Sequence, residues 1–144
     1  MITVKQILQE KQGEVLTIAP EDDLRHALRI MADNNIGALA VVKNGKVVGI
    51  FSERDFARNA VRNEKLSRHM VVDQLMSNFV HYVHPTQTID ECMAMMTEYR
   101  TRHLPVLDGG KLVGIVSIGD VLKRTIEDKE FKIKNLENYI SGSL

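Results

Sequence analysis

The chain has 144 residues, 44% hydrophobic and 26% charged, enough for one compact domain or two small halves sharing a core, and too apolar for a disordered tail. Nineteen basic residues balance nineteen acidic ones, so net charge draws the chain to neither nucleic acid nor an anionic membrane. One cysteine, Cys92, excludes an internal disulfide, and five histidines without a cysteine partner or close helical spacing predict no metal site.

In chain order, TVKQILQEK lacks the cationic start and apolar run of a signal peptide, and every later apolar segment is too short to span a bilayer, so a cytoplasmic protein is expected. VKQIL (4–8) reads as a short opening helix. VLTIAP (15–20) alternates as a short strand ended by Pro20. From Asp22 to Asn34 the apolar residues Leu24, Ala27, Leu28 and Met31 fall at helical spacing. ALAVV (38–42) and KVVGIFS (46–52) are strands joined at Asn44-Gly45, a pair that tolerates the positive φ of a tight hairpin. A second helix begins at Ser52.

The same order then returns. A shift of 65 residues, from Gly49 to Gly114, aligns Pro20 with Pro85, Met31 with Met96, Leu39 with Leu104, Ser52 with Ser117 and Asp55 with Asp120, without a gap. Upstream, VKQIL matches VDQLM (72–76) at a shift of 68, so the first copy carries about three extra residues within QEKQG (9–13). VHYVHP, the stripe Ile89, Cys92, Met93 and Met96, and the hairpin HLPVL–GG–KLVGIVS complete the second copy. Each unit is β-α-β-β-α, an α/β (α+β) arrangement in which one half alone leaves a sheet face bare. Two halves can cover each other.

The repeated corner, GIFSERD (49–55) and GIVSIGD (114–120), carries the functional question. Ser-x-x-Asp is a helix start, with serine at the N-cap and the acid reaching back from N3. It also offers a ligand three things. Gly49 and Gly114 allow a close approach to the strand end. The helix N-terminus and serine hydroxyl suit phosphate. An ionised aspartate can accept from both hydroxyls of a ribose. Arg54, Arg100, Arg102 and His103 stand near these corners and could meet phosphate. Arg54 has Gly119 as its counterpart, so the two corners are expected to differ in affinity or phosphate preference. No P-loop, Rossmann glycine pattern or G-x-S-x-G elbow is present, and no nucleophile with an adjacent base is visible, so the chain is not read as an enzyme.

The tandem β-α-β-β-α unit with its Leu104-Pro105-Val106 strand, glycine hairpin and G-h-h-S-x-x-D corner resembles the CBS-domain family, and the pair resembles a Bateman module. The resemblance divides the chain into repeats at 4–63 and 72–127 and a helical tail at 128–144, with the repeats packed about a pseudo-two-fold axis. It implies two inter-repeat clefts that take adenine nucleotides such as AMP, ATP or NAD, or a related adenosyl ligand. In one cleft Asp55 would hold ribose, Ser52 phosphate and Ile50 the base, with Arg54, Asn78, Val80, Thr101, Arg102 and His103 around them. In the other, Asp120, Ser117 and Ile115 would take those roles beside Gly13, Val15, Gly37 and Ala38, with Arg102 and His103 near its own strand. The implied role is regulatory, in a homodimer signalling to an effector protein in trans. In the tail, Ile126, Ile133 and Ile140 recur every seven residues with Leu136 between them, so 123–140 is predicted to be an amphipathic helix that packs on its own core or on a partner. A ligand-independent dimerisation module is the alternative.

Overall fold

In a computed structural model of the chain, residues 1–11, 13–62 and 69–142 are described. The end of the first predicted repeat at residue 63, residue 12 of the insertion and residues 143–144 of the tail lie outside them. The elements are α1 (Val4–Glu10), β1 (Thr17–Ile18), α2 (Leu24–Asn34), β2 (Ala38–Lys43), β3 (Lys46–Ser52), α3 (Glu53–Arg62), a 3-10 turn at Val72–Gln74, α4 (Ile89–Tyr99), β4 (His103–Asp108), β5 (Lys111–Ser117) and α5 (Ile118–Ser141). One sheet has the order β1-β2-β3 and the other pairs β4 with β5. Among the described residues no helix is long and apolar enough to cross a membrane.

The repeat is visible in detail. Asp23 and Thr88 cap α2 and α4 through side-chain oxygens, and Asn35 and Arg100 end them in the left-handed region at φ 51° and 53°. The hairpins turn at Asn44-Gly45 and Gly109-Gly110, all with positive φ. Each hairpin is bulged at the matching place, between Val41 and Val42 and between Val106 and Leu107.

Three elements differ from expectation. The second copy opens with a 3-10 turn rather than a helix. Its upstream strand shrinks to a bridge at Val83, where the Val83 N–H donates to Pro105 O at 3.0 Å and the Leu107 N–H donates to Val83 O at 2.9 Å. Pro105 stands where the first copy has Ala40 and has no N–H to extend that parallel ladder. The tail, third, is continuous with the helix of the second corner: α5 runs unbroken for 24 residues. Only Val121 of it is buried, while Ile126, Ile133, Leu136 and Ile140 are exposed, so the predicted stripe does not pack on the chain's own core.

The two cores are interleaved. Val4 and Ile7 of α1 lie in the second repeat's core with Cys92, Met96, Leu104, Val106, Val116 and Val121. In exchange, Val72 and Leu75 lie in the first repeat's core with Leu24, Met31, Leu39, Val41 and Phe51. Each opening segment is held by three matching backbone bonds: Val4 N to Gln87 O, Lys5 N to Pro85 O and Ile89 N to Ile2 O in one half, and Val72 N to Asp22 O, Asp73 N to Pro20 O and Leu24 N to Met70 O in the other. A fully buried side chain of this kind stabilises by about 1.5–3 kcal/mol. Each half therefore draws part of its stability from a segment that follows the other half's numbering.

Candidate functional site

The corners are built as capping boxes. The Asp55 N–H donates to Ser52 Oγ at 3.1 Å, while Ser52 N–H and Oγ–H donate to Asp55 Oδ2 at 3.1 and 2.9 Å. In the second corner the Asp120 N–H donates to Ser117 Oγ at 3.1 Å and the Ser117 N–H donates to Asp120 Oδ2 at 2.9 Å. Both acids are fixed in place by these bonds. A carboxylate has about four lone-pair sites, so capping leaves room for a diol.

Gly49 and Gly114 do permit a close approach, but what approaches is protein. A Cβ on Gly49 would lie 2.7 Å from Met76 Sδ and 2.9 Å from Ser77 O, and one on Gly114 would lie 2.6 Å from Leu8 Cδ2. The glycines accommodate the crossed-over segments, and those segments in turn form cleft walls.

Two cavities flank the corners. The first, about 540 Å³, contains Ile50, Ser52, Arg54, Asp55, Val80, Thr101, Arg102 and His103 of the predicted residues. The second, about 550 Å³, contains Gly13, Val15, Ala38, Ile115, Ser117 and Asp120. Gly37 and His103 border both. Asn78 lines neither: it follows Ser77, whose backbone is paired with Ile50 in both directions, and its side chain is exposed outside the cavities. Arg102 borders the first cavity alone, and of the two predicted residues it is His103 that reaches the second.

His103 packs over Gly37, where a Cβ would be 3.3 Å from its Nε2. Burial, and then the Lys11 and Arg102 cations, hold the imidazole below its ordinary pKa against the opposing pull of Asp120 and Asp55. The ring between the clefts is thus neutral at physiological pH.

Several lining residues escape a reading of the sequence. Lys11 Nζ donates to Asp120 Oδ2 at 2.8 Å and to Ile115 O at 2.9 Å, capping the acid from the far end of α1. Burial pushes the Asp120 carboxyl up, but the Lys11 and Ser117 hydrogen bonds outweigh it and leave the pKa lowered. In the first cleft Arg54 donates to Arg100 O at 3.2 Å, and His81 stacks on Tyr99 with centroids 3.6 Å apart and planes 6° from parallel. Phe79 stands beside them, 80% exposed. Lys11 sits in the insertion, where the copies do not align. The aromatic pair joins residues eighteen apart on different segments, which no local pattern shows.

Chemically, each cleft offers a fixed carboxylate, a hydroxyl at a helix start and an apolar wall. Among the described residues no group of three or more His, Cys, Asp or Glu comes together to hold a metal ion. The arrangement is suited to holding a nucleoside.

Comparison with known proteins agrees with this architecture. The CBS-domain family profile matches residues 2–62 and again 72–127. A solved CBS-domain protein from Burkholderia ambifaria is 48% identical, covering 88% of this chain and 95% of its own with a TM-score of 0.83. The mitochondrial CBS domain-containing protein CBSX3 of Arabidopsis thaliana is 31% identical, over 97% of this chain and 72% of its own. The CBS domain pair of protein MJ0100, solved in complex with 5′-methylthioadenosine and S-adenosyl-L-methionine, is 27% identical, covering 90% of this chain and 98% of its own with a TM-score of 0.76. With two matched repeats, interleaved cores and a doubled corner, the chain belongs to the CBS-domain family as a tandem pair.

Proposed function

We propose that this CBS pair is a regulatory module that binds adenosine-containing ligands, of the AMP, ATP or NAD type or a related adenosyl compound, in its two clefts and passes their occupancy to an effector protein in trans. The observation that carries the reading is the doubled capped Ser-x-x-Asp corner, each copy bordering a cavity of nucleotide size. The adenosyl ligands named for the related pair MJ0100 support it. In the first cleft Asp55 accepts from ribose, Ser52 and the α3 N-terminus meet phosphate, and Ile50 faces the base. In the second, Asp120 and Ile115 take the same ribose and base roles, with Ser117 at the helix start beside them. His103, on both walls, gives ligand in one cleft a direct route to the other. Occupancy shifts the arrangement only by favouring one state over another.

Thermal denaturation with AMP, ATP, NAD and S-adenosylmethionine tests this. At a hundredfold excess over Kd a ligand adds about 2.7 kcal/mol, roughly 9 °C for a domain of this length. Asp55→Ala and Asp120→Ala should each remove part of the shift. No shift with any of the four overturns the reading, and release of product from ATP or NAD would move it toward catalysis.

A second reading, association independent of ligand, is favoured by the exposed row Ile126, Ile133, Leu136 and Ile140 on α5. We place a homodimer contact there, since isoleucine at seven-residue intervals with leucine between suits a two-stranded coil. Light scattering should show a dimer that Ile133→Glu dissociates.

A further inference from the structure

The pseudo-symmetry lets the two clefts be compared position by position, and the comparison is lopsided in charge. Where the first has Arg54, Arg100 and Arg102, the second has Gly119, Asn35 and Gly37. Where the first has exposed Phe79, the second has Glu14. With Arg58 added, the first cleft is lined by four arginines against the carboxylates of Glu53 and Asp55, while the second sets Glu14 and Asp120 against the single cation Lys11. Lys11 already uses two of its three N–H donors, on Asp120 and on the Ile115 carbonyl, and its charge is balanced by that acid, so it offers a phosphate far less than the four arginines do.

We infer that the clefts divide adenosyl ligands by charge: the first takes an adenosine polyphosphate, and the second takes an adenosine derivative that carries no phosphate. This deepens the nucleotide reading above and rests on it. In the first cleft the helix start holds one phosphate and the arginines neutralise the rest, with the His81–Tyr99 stack beside them as a flat apolar platform for the base. In the second, a polyphosphate would meet a net negative lining and find its one cation engaged. A ribose diol needs only to share Asp120 with Lys11.

Calorimetric titration of the intact chain with ATP and with 5′-methylthioadenosine separates the possibilities. ATP should fill one site per chain, with an affinity that falls steeply with salt. 5′-Methylthioadenosine should fill the other, in the presence of saturating ATP and with little salt dependence. Arg54→Gly together with Arg102→Gly, both exposed positions, should weaken ATP by at least about tenfold and leave 5′-methylthioadenosine unchanged. Asp120→Asn should do the reverse. ATP filling both sites with similar affinity, or the two ligands competing for one site, overturns the partition while leaving nucleotide binding intact. Binding of neither compound overturns both.

Discussion

Replacing Gly49 by alanine would put a Cβ 2.7 Å from the Met76 sulfur and 2.9 Å from the Ser77 carbonyl oxygen. The thioether can swing aside. The carbonyl cannot, because it accepts from the Ile50 N–H at 3.0 Å while the Ser77 N–H donates back to Ile50 O at 2.9 Å. Overpacking of this kind costs about 1–3 kcal/mol, and alanine's lower backbone entropy in a strand recovers about 0.5–1 kcal/mol. The net loss is about 1–2 kcal/mol, which for a domain of this length lowers Tm by roughly 3–7 °C. Gly114→Ala is the internal control. Its Cβ would meet only the flexible end of Leu8, at 2.6 and 3.1 Å from the two methyl carbons, so its cost after the backbone gain should stay under about 1 kcal/mol. Scanning calorimetry of both variants measures the difference. If Gly114→Ala falls as far as Gly49→Ala, or if Gly49→Ala melts with the parent, close approach of the crossed-over backbone is not what requires glycine at 49.

The remaining predictions concern charge, reactivity and packing. Because the folded pKa of Asp120 lies below its unfolded value, its contribution to stability is full above the unfolded carboxylate range and is lost as pH falls through the folded value. Lys11→Met should raise that folded pKa, and carboxylate NMR titration reads it directly; an unmoved titration refutes the role given to Lys11. His103 also titrates below its ordinary value of about 6.5, so stability should begin to decline as pH drops past that point, and a His103→Gln variant should lose this first step in urea denaturation across pH. Burial, then Glu91, pushes the Cys92 thiol up to about 11, so native protein at pH 8 should resist iodoacetamide and label only as fast as it unfolds; prompt labelling would contradict this. Phe51→Ala, at a fully buried position, should cost about 3–5 kcal/mol by urea denaturation, with loss under about 1 kcal/mol refuting its place in the core.

Much of this molecule was legible in its residues because the strongest signals are local and are stated twice. The turns at Asn44-Gly45 and Gly109-Gly110, the caps at Ser52 and Ser117, and the stripes of α2 and α4 each follow from a few neighbouring side chains. The opening segments show where that logic stops. VKQIL and VDQLM read alike, yet one forms a helix and the other a 3-10 turn, and nothing in either says which half it docks on. That choice is made by distant partners: Gly114 accepts Leu8, and Gly49 accepts Met76. The shortened strand before Pro85 has a cause in sequence, the missing N–H of Pro105, which becomes readable only once the pairing register is known. The corners themselves suggest a place for a ligand, but Lys11 on Asp120 comes from the one region where the copies do not align, so the repeat itself does not point to it.

The exchange of opening segments also bears on how the chain is made. Val4 and Leu104 belong to one core, so α1 emerges from the ribosome about a hundred residues before the surface that receives it. At about 5–20 residues per second that is roughly 5–20 s during which a seven-residue helix waits without its partner. A helix that short is marginal in water on its own, so α1 stays unstructured until the second hairpin arrives. The first half meanwhile lacks Val72 and Leu75 until the start of the second copy has been made. Neither half can finish early. Folding of this pair is therefore expected to be a late, joint event rather than one repeat followed by the other.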